Sequence, residues 1–100
     1  MQDEKIYRVL ANAHRLQILE WLKDPVAHFP PQVDGDLVED GVCAVLIAKK
    51  LGLTPSTLSE HMRLLVEAGF VTPKRIKQWT FYRRNKGRIA EIAEALARGL

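Results

Sequence analysis

Residues 53–71 read LTPSTLSEHMRLLVEAGFV. Leu58, Met62, Leu65 and Val66 recur three or four apart, the spacing that lines one face of an α-helix. The other face carries Ser56, Thr57, Ser59, Glu60 and Arg63. Thr54 can cap this helix by accepting a backbone N–H, and Pro55 at the first helical position loses no needed donor. Just upstream, CAVLIAKKLGL is a short apolar helical stretch, and Gly52 follows Leu51 as a helix C-terminal glycine should. A short helix, a tight glycine turn and a second helix form a helix-turn-helix. Periodicity does not say whether the polar face of the second helix is plain surface or a contact. Its neighbours must decide.

Working outward, Asp3 can cap a first helix with Ile6 and Leu10 on its buried side, and Asn12 can start a second. In that second helix Leu16, Leu19 and Leu22 recur every three residues, Ile18 and Trp21 widen the stripe, and Pro25 closes it. The stretch PVAHFPPQVDGDLVEDG, rich in proline, glycine and acids, reads as a long loop, a length usually functional or flexible. After Gly69 the period changes. FVTPKRIKQWTFYRR has the β-branched and aromatic character of a hairpin, with Lys77-Gln78 as its turn. Ile89, Ile92, Ala93 and Leu96 then mark a last helix ended by Gly99. The expected organisation is one domain over 1–100. Its parts are N-terminal helices over 3–23, an acidic loop over 24–41, a helix-turn-helix over 42–69, a hairpin over 70–84 and a C-terminal helix over 86–98. The fold class is mainly α with a small β-hairpin, in the order α-α-α-α-β-β-α.

A chain of 100 residues builds a modest core, and dimerisation is a common remedy for its small reserve of stability. Hydrophobic residues make up 47% and charged residues 27%, an ordinary globular balance. No apolar run approaches the roughly 20 residues that span a bilayer, and MQDEKIYRVLANAHRL is no signal peptide. These features predict no membrane partner. The single Cys43 cannot staple the chain, which suits a reducing cytoplasm. Net charge is only +3, but its distribution is uneven. Between Asp24 and Ala48 there are acids and no Lys or Arg, whereas Lys74, Arg75, Lys77, Arg83, Arg84, Lys86 and Arg88 follow one another without an acid. Such a basic block interleaved with aromatics suggests a polyanion partner.

The order of elements, with LANAHRLQILEWL upstream, GVCAVLIAKKLGLTPSTLSEHMRLLVEAGFV in the middle and RIKQWTFYRR after it, resembles the ArsR family of bacterial winged-helix repressors. The likeness runs from about Leu10 to Leu96. It implies a winged helix-turn-helix homodimer that holds double-stranded operator DNA and leaves it when an inducer binds. The residues themselves agree on DNA. Short polar side chains at Ser56, Thr57 and Ser59 suit the N-terminus of a recognition helix. Thr54 and the first-turn N–H groups suit a phosphate. Glu60 faces the same way and could accept from a cytosine amine, while His61 and Arg63 lie one turn on. Lys74, Arg75, Lys77 and Arg83 would hold the flanking backbone without regard to sequence. Trp79, Phe81 and Tyr82 read as packing residues. Ile6, Leu10, Ile89, Ile92 and Leu96 exceed what one small core needs and are the expected dimer interface.

The sensor is less legible. The family's Cys-x-Cys-Asp metal box would start at Cys43, but Val45 and Leu46 fill its other positions. A second family site on the last helix needs His, and RIAEIAEALARGL offers only Glu91 and Glu94. The expectation is therefore no cofactor. Two alternatives stay open: an O/N/S site from His28, Asp34, Asp36, Glu39, Asp40 and Cys43, and Cys43 as a redox sensor. A small organic inducer is the third, with Phe29, Pro30 and Pro31 as pocket lining. Nothing in the sequence outlines an enzyme: there is no Gly-rich phosphate loop, Ser/His/Asp arrangement or paired-carboxylate cleft. The rival reading is a winged-helix module for protein contacts, which would not need the basic block.

Overall fold

The computed structural model describes residues 3–100, with side chains from Glu4 onward. The cap expected at Asp3 lies outside the described side chains. Among the described residues nine elements follow in order: α1 (Asp3–Leu10), α2 (Ala13–Trp21), α3 (Pro25–His28), β1 (Val42–Cys43), α4 (Ala44–Leu51), α5 (Pro55–Glu67), β2 (Val71–Ile76), β3 (Trp79–Arg84) and α6 (Lys86–Gly99). No described helix is long and apolar enough to cross a membrane.

Local chemistry explains the boundaries. The Asn12 side chain accepts from the Arg15 N–H at 3.1 Å and starts α2. Gly52 closes α4 in the left-handed region at φ 71°, where a side chain would be strained. Leu53 N–H then returns to the Ala48 carbonyl at 2.9 Å, so the turn between α4 and α5 is tightly specified. Leu58, Met62 and Leu65 are fully enclosed on the inner face of α5. Each contributes about 1.5–3 kcal/mol by leaving water. They meet Ile18 of α2, Ile47 of α4, Val42 of β1 and Phe70–Val71 at the root of the hairpin in one core.

The structure changes several expectations. Residues 24–41 are not all loop, because Pro25 opens the one-turn α3 instead of merely ending α2. Val42–Cys43 form a strand that pairs antiparallel with β3, giving a three-stranded sheet in the order β1-β3-β2. The helix-turn-helix therefore starts at Ala44. A two-residue strand carries no period, so nothing short of its partner could reveal it. Gly41 permits this strand: a Cβ there would lie 2.4 Å from the Tyr82 carbonyl oxygen, and its φ is +104°. Leu16, expected inside, is 50% exposed, and its place on the inner face of α2 goes to Arg15 with Ile18 and Leu19.

Two of the five expected interface residues are corrected. Ile6 and Ile92 are buried within the protomer, at 4% and 2% exposure, so a second chain would gain almost nothing from them. Leu10, Ile89 and Leu96 remain half-exposed beside the core. Phe29 is likewise core and not pocket lining. It packs edge-on to Trp21 with ring centroids 6.0 Å apart.

Candidate nucleic-acid interface

The N-terminus of α5 projects from the body as a small polar platform. The Thr54 hydroxyl accepts from the Thr57 N–H at 3.3 Å and lies 2.9 Å from the Thr57 hydroxyl, to which it donates. Ser56, Thr57 and Ser59 are exposed, and the first turn carries no acid. The positive end of the α5 dipole is therefore left to whatever approaches from solvent. Pro55 has no N–H, and those of Thr57 and Leu58 are held by Thr54, so this end of α5 can take a phosphate through the Ser56 N–H and offer hydroxyls to base edges.

One turn further the face is occupied by its own partners. Arg63 Nε donates to Glu60 at 3.0 Å and Nη1 donates to Glu67 at 2.7 Å. The bond from Arg63 holds the Glu60 carboxyl below its ordinary range. Glu60 is thus less hostile to an anion than its bare charge suggests, and Arg63 is not a free cation. His61, expected beside them as a DNA contact, lines an open hollow with Ser56, Thr57, Glu60 and Arg15. Its Nδ1 lies 2.9 Å from Nη1 of Arg15, and the ring is half-buried against α2. Periodicity places His61 between the two faces, and in the fold it borders both, bonded to Arg15 on one side and facing the hollow on the other.

The hairpin is closed by Lys77, whose φ of 55° puts a non-glycine residue in the left-handed region at its tip. Its cations are not bare. Lys74 bonds the Asp40 carboxylate, Lys77 bonds Asp34 at 2.9 Å, and Arg83 donates to the Glu39 carbonyl at 2.9 Å. The acidic loop and the basic block, far apart in sequence, are one contact. The Lys74 bond, with the Asp36 N–H behind it, draws the Asp40 carboxyl below its usual range. Arg84 turns inward to the Leu19 carbonyl at 2.9 Å, and burial lowers its pKa. Arg75 stays exposed at the tip. Ion pairs at the surface with a solvated lysine add little to stability, so phosphates can displace them. Phe81 is buried, in keeping with a packing role, whereas Trp79 lies at the surface.

Sequence reading missed Lys49. It stands exposed in the last turn of α4, the helix that leads into the turn before α5, where backbone contacts are commonly made. The pair Lys49-Lys50 reads equally well as a complement to the helix dipole, which hid it. Lys50 does something else. Its ammonium sits 5.0 Å from the Trp21 ring centre.

The candidate metal set is not gathered. Asp36 accepts from the N–H groups of Val38 and Glu39, at 3.0 and 2.8 Å, while Asp34 and Asp40 hold lysines. Among the described residues no three His, Cys, Asp or Glu come together as ligands. Cys43 is a half-buried free thiol whose N–H donates to the Gln32 side chain at 2.7 Å. It borders a shallow, mostly apolar hollow of about 300 Å³ between Val33, Val45 and Trp79.

Comparison with known proteins agrees with this geometry. A helix-turn-helix domain family matches residues 10–74. The chain is 38% identical over 96 residues to the uncharacterized HTH-type transcriptional regulator YbzH of Bacillus subtilis strain 168, covering 96% of each chain. HlyU from Vibrio cholerae N16961 superposes with a TM-score of 0.61 at 27% identity, over 96% of this chain and 88% of that one. A homodimeric winged helix-turn-helix DNA-binding domain from Mycobacterium bovis, described as a possible ArsR-family transcriptional regulator, gives a TM-score of 0.65. It is 23% identical, over 98% of this chain and 78% of that one.

Proposed function

The chain belongs to the helix-turn-helix transcriptional regulators and has the winged fold of their ArsR type, and on that premise we propose that it is a homodimeric repressor. Each protomer would lay α5 in the major groove of one half-site of a roughly palindromic operator. Ser56, Thr57 and Ser59 would face the bases, with Thr54 and the Ser56 N–H on a phosphate. Arg75, Lys49 and, after leaving their carboxylates, Lys74 and Lys77 would hold the flanking backbone, with Arg83 behind them. An inducer would release the complex, and a small organic molecule or an oxidant at Cys43 are its two candidate classes. The reading includes no metal or other cofactor and no catalytic step.

The observation that carries this reading is the exposed, acid-free first turn of α5 beside a cation-bearing hairpin. A protein-contact module would not need that pairing. Homodimerisation draws support from the Mycobacterium bovis domain and from the apolar surface along α1 and α6. The test is selection of bound duplexes from a random pool by the wild type and by a Ser56→Ala/Thr57→Ala variant. The wild type should enrich a palindrome and the variant should enrich altered or relaxed half-sites. Absence of enrichment by the wild type would favour the protein-contact module.

A further inference from the structure

Arg15 is a buried guanidinium, 8% exposed, with no carboxylate partner among the described residues. A buried charge needs compensation. Here it comes from two directions. Nε donates to the Val9 carbonyl at 2.7 Å and Nη2 to the Arg8 carbonyl at 3.2 Å. Those oxygens belong to the last turn of α1, where carbonyls lack helical partners and the dipole is negative. Nη1 reaches Nδ1 of His61 on α5 at 2.9 Å. One side chain of α2 thus ties the C-terminal end of α1 to the middle of the recognition helix.

An arginine can only donate, so Nδ1 of His61 must accept. The imidazole is therefore neutral, with its proton on Nε2. A second proton has no place at Nδ1, since it would remove the acceptor and set an imidazolium against the guanidinium. The groups facing the ring are few. Arg15 and His14 come from α2, with the His14 ring centre 5.6 Å away, and Glu60 is the ring's neighbour on α5, itself held by Arg63. Burial first, then Arg15 and His14, hold the His61 pKa below its ordinary value, against a smaller pull from Glu60.

We propose that the Arg15–His61 bond is a positioning pin that fixes the recognition helix against α1, and that protonation of His61 withdraws it and costs the protein its sequence-specific DNA binding. The inference rests on α5 being the helix that reads DNA. Its sign is distinctive. Acidification adds positive charge to a protein, which by itself tightens binding to any duplex. The pin predicts the reverse for the operator: an α5 no longer fixed to α1 presents its hydroxyls at the wrong angle to paired half-sites.

The test has two arms. In the first, imidazole nitrogens of the DNA-free protein are followed by NMR against pH. His61 should be the Nε2–H tautomer when neutral and should titrate below the usual histidine value of about 6.5. A titration at or above that value, or the Nδ1–H tautomer, overturns the pin whatever the protein binds. In the second arm, affinities for the selected operator and a scrambled duplex are measured at constant ionic strength from pH 7.5 down to one unit below the His61 pKa read in the first arm. The operator-to-scrambled ratio of the wild type should fall, approaching about tenfold per pH unit for each His61 pin withdrawn, and so about a hundredfold for the two of a dimer, below the His61 pKa. His61→Asn keeps an acceptor on the same γ carbon but cannot take the proton, so its ratio should stay level. His14→Gln should fall as the wild type does. A wild-type ratio that holds or rises on acidification, or an equal fall in His61→Asn, overturns the proposal. If the wild type does not discriminate between duplexes at pH 7.5, the DNA reading of α5 fails and the release step with it. The first arm still decides whether the bond exists.

Discussion

At the scale of single residues, the balance of charge on α5 turns on Glu60. A carboxylate facing a groove repels phosphate, and this one is only partly offset by Arg63, which is shared in turn with Glu67. The trio is exposed, so its worth lies in steering more than in stability. Replacing Glu60 with Gln removes one negative charge and leaves Arg63 with Glu67 alone. Operator affinity should rise, roughly two- to tenfold at low salt, with the gain shrinking as salt screens it. The selected sequence should not change. A relaxed base preference at one position, measured by repeating the selection with Glu60→Gln, would show instead that Glu60 reads a base. His61 adds a stability effect of known sign. Its folded pKa is depressed, so the unfolded chain binds the proton more readily. Stability is full above about pH 6.5 and is lost as pH falls through the lower folded value. Urea midpoints should drop over that window in the wild type and less in His61→Asn.

At the scale of elements, the hairpin and the acidic loop behave as one unit. Lys74 with Asp40 and Lys77 with Asp34 give the loop the contacts that a DNA backbone would otherwise take. The double change Asp34→Asn/Asp40→Asn should tighten binding to every duplex alike. It should also steepen the fall of log affinity with log salt, by up to about 0.9 for each lysine freed. An unchanged salt slope would mean these lysines never reach phosphate. The same contact shows where sequence reading succeeds and where it stops. Caps at Asn12 and Thr54, the glycine at Gly52 and the 3.6-residue period of α5 are local signals, and each appears where the residues put it. The pairing of β1 with β3, the closure of the acidic loop over the hairpin, the Arg15–His61 bond and the inward turn of Arg84 all join segments distant in the chain. No local period encodes them. Leu16 illustrates the converse: an apolar residue in register with a core stripe, left outside because a buried arginine takes its place.

At the scale of the whole molecule, α1 and α6 leave apolar surface that the protomer does not use. Tyr7 is 45% exposed, and Leu10, Ile89 and Leu96 are only partly covered, with Ala93 and Ala97 exposed along α6. A second copy is the natural cover for such a surface in a regulator of this type. Sedimentation equilibrium at micromolar concentration should therefore give about twice 11.4 kDa. Leu96→Glu should shift it toward the single-chain mass, since a charge there would lose its solvent on association. In the proposed dimer, the interface would set the distance between the two copies of α5, and with it the spacing of the operator's half-sites. Methylation interference at guanine N7 on the selected operator reads this most directly, because N7 lies in the major groove. The account predicts two clusters of interference, one per half-site, with centres about 10–10.5 base pairs or a multiple of that apart. A single cluster, or no interference at any guanine N7 of the operator, would contradict it.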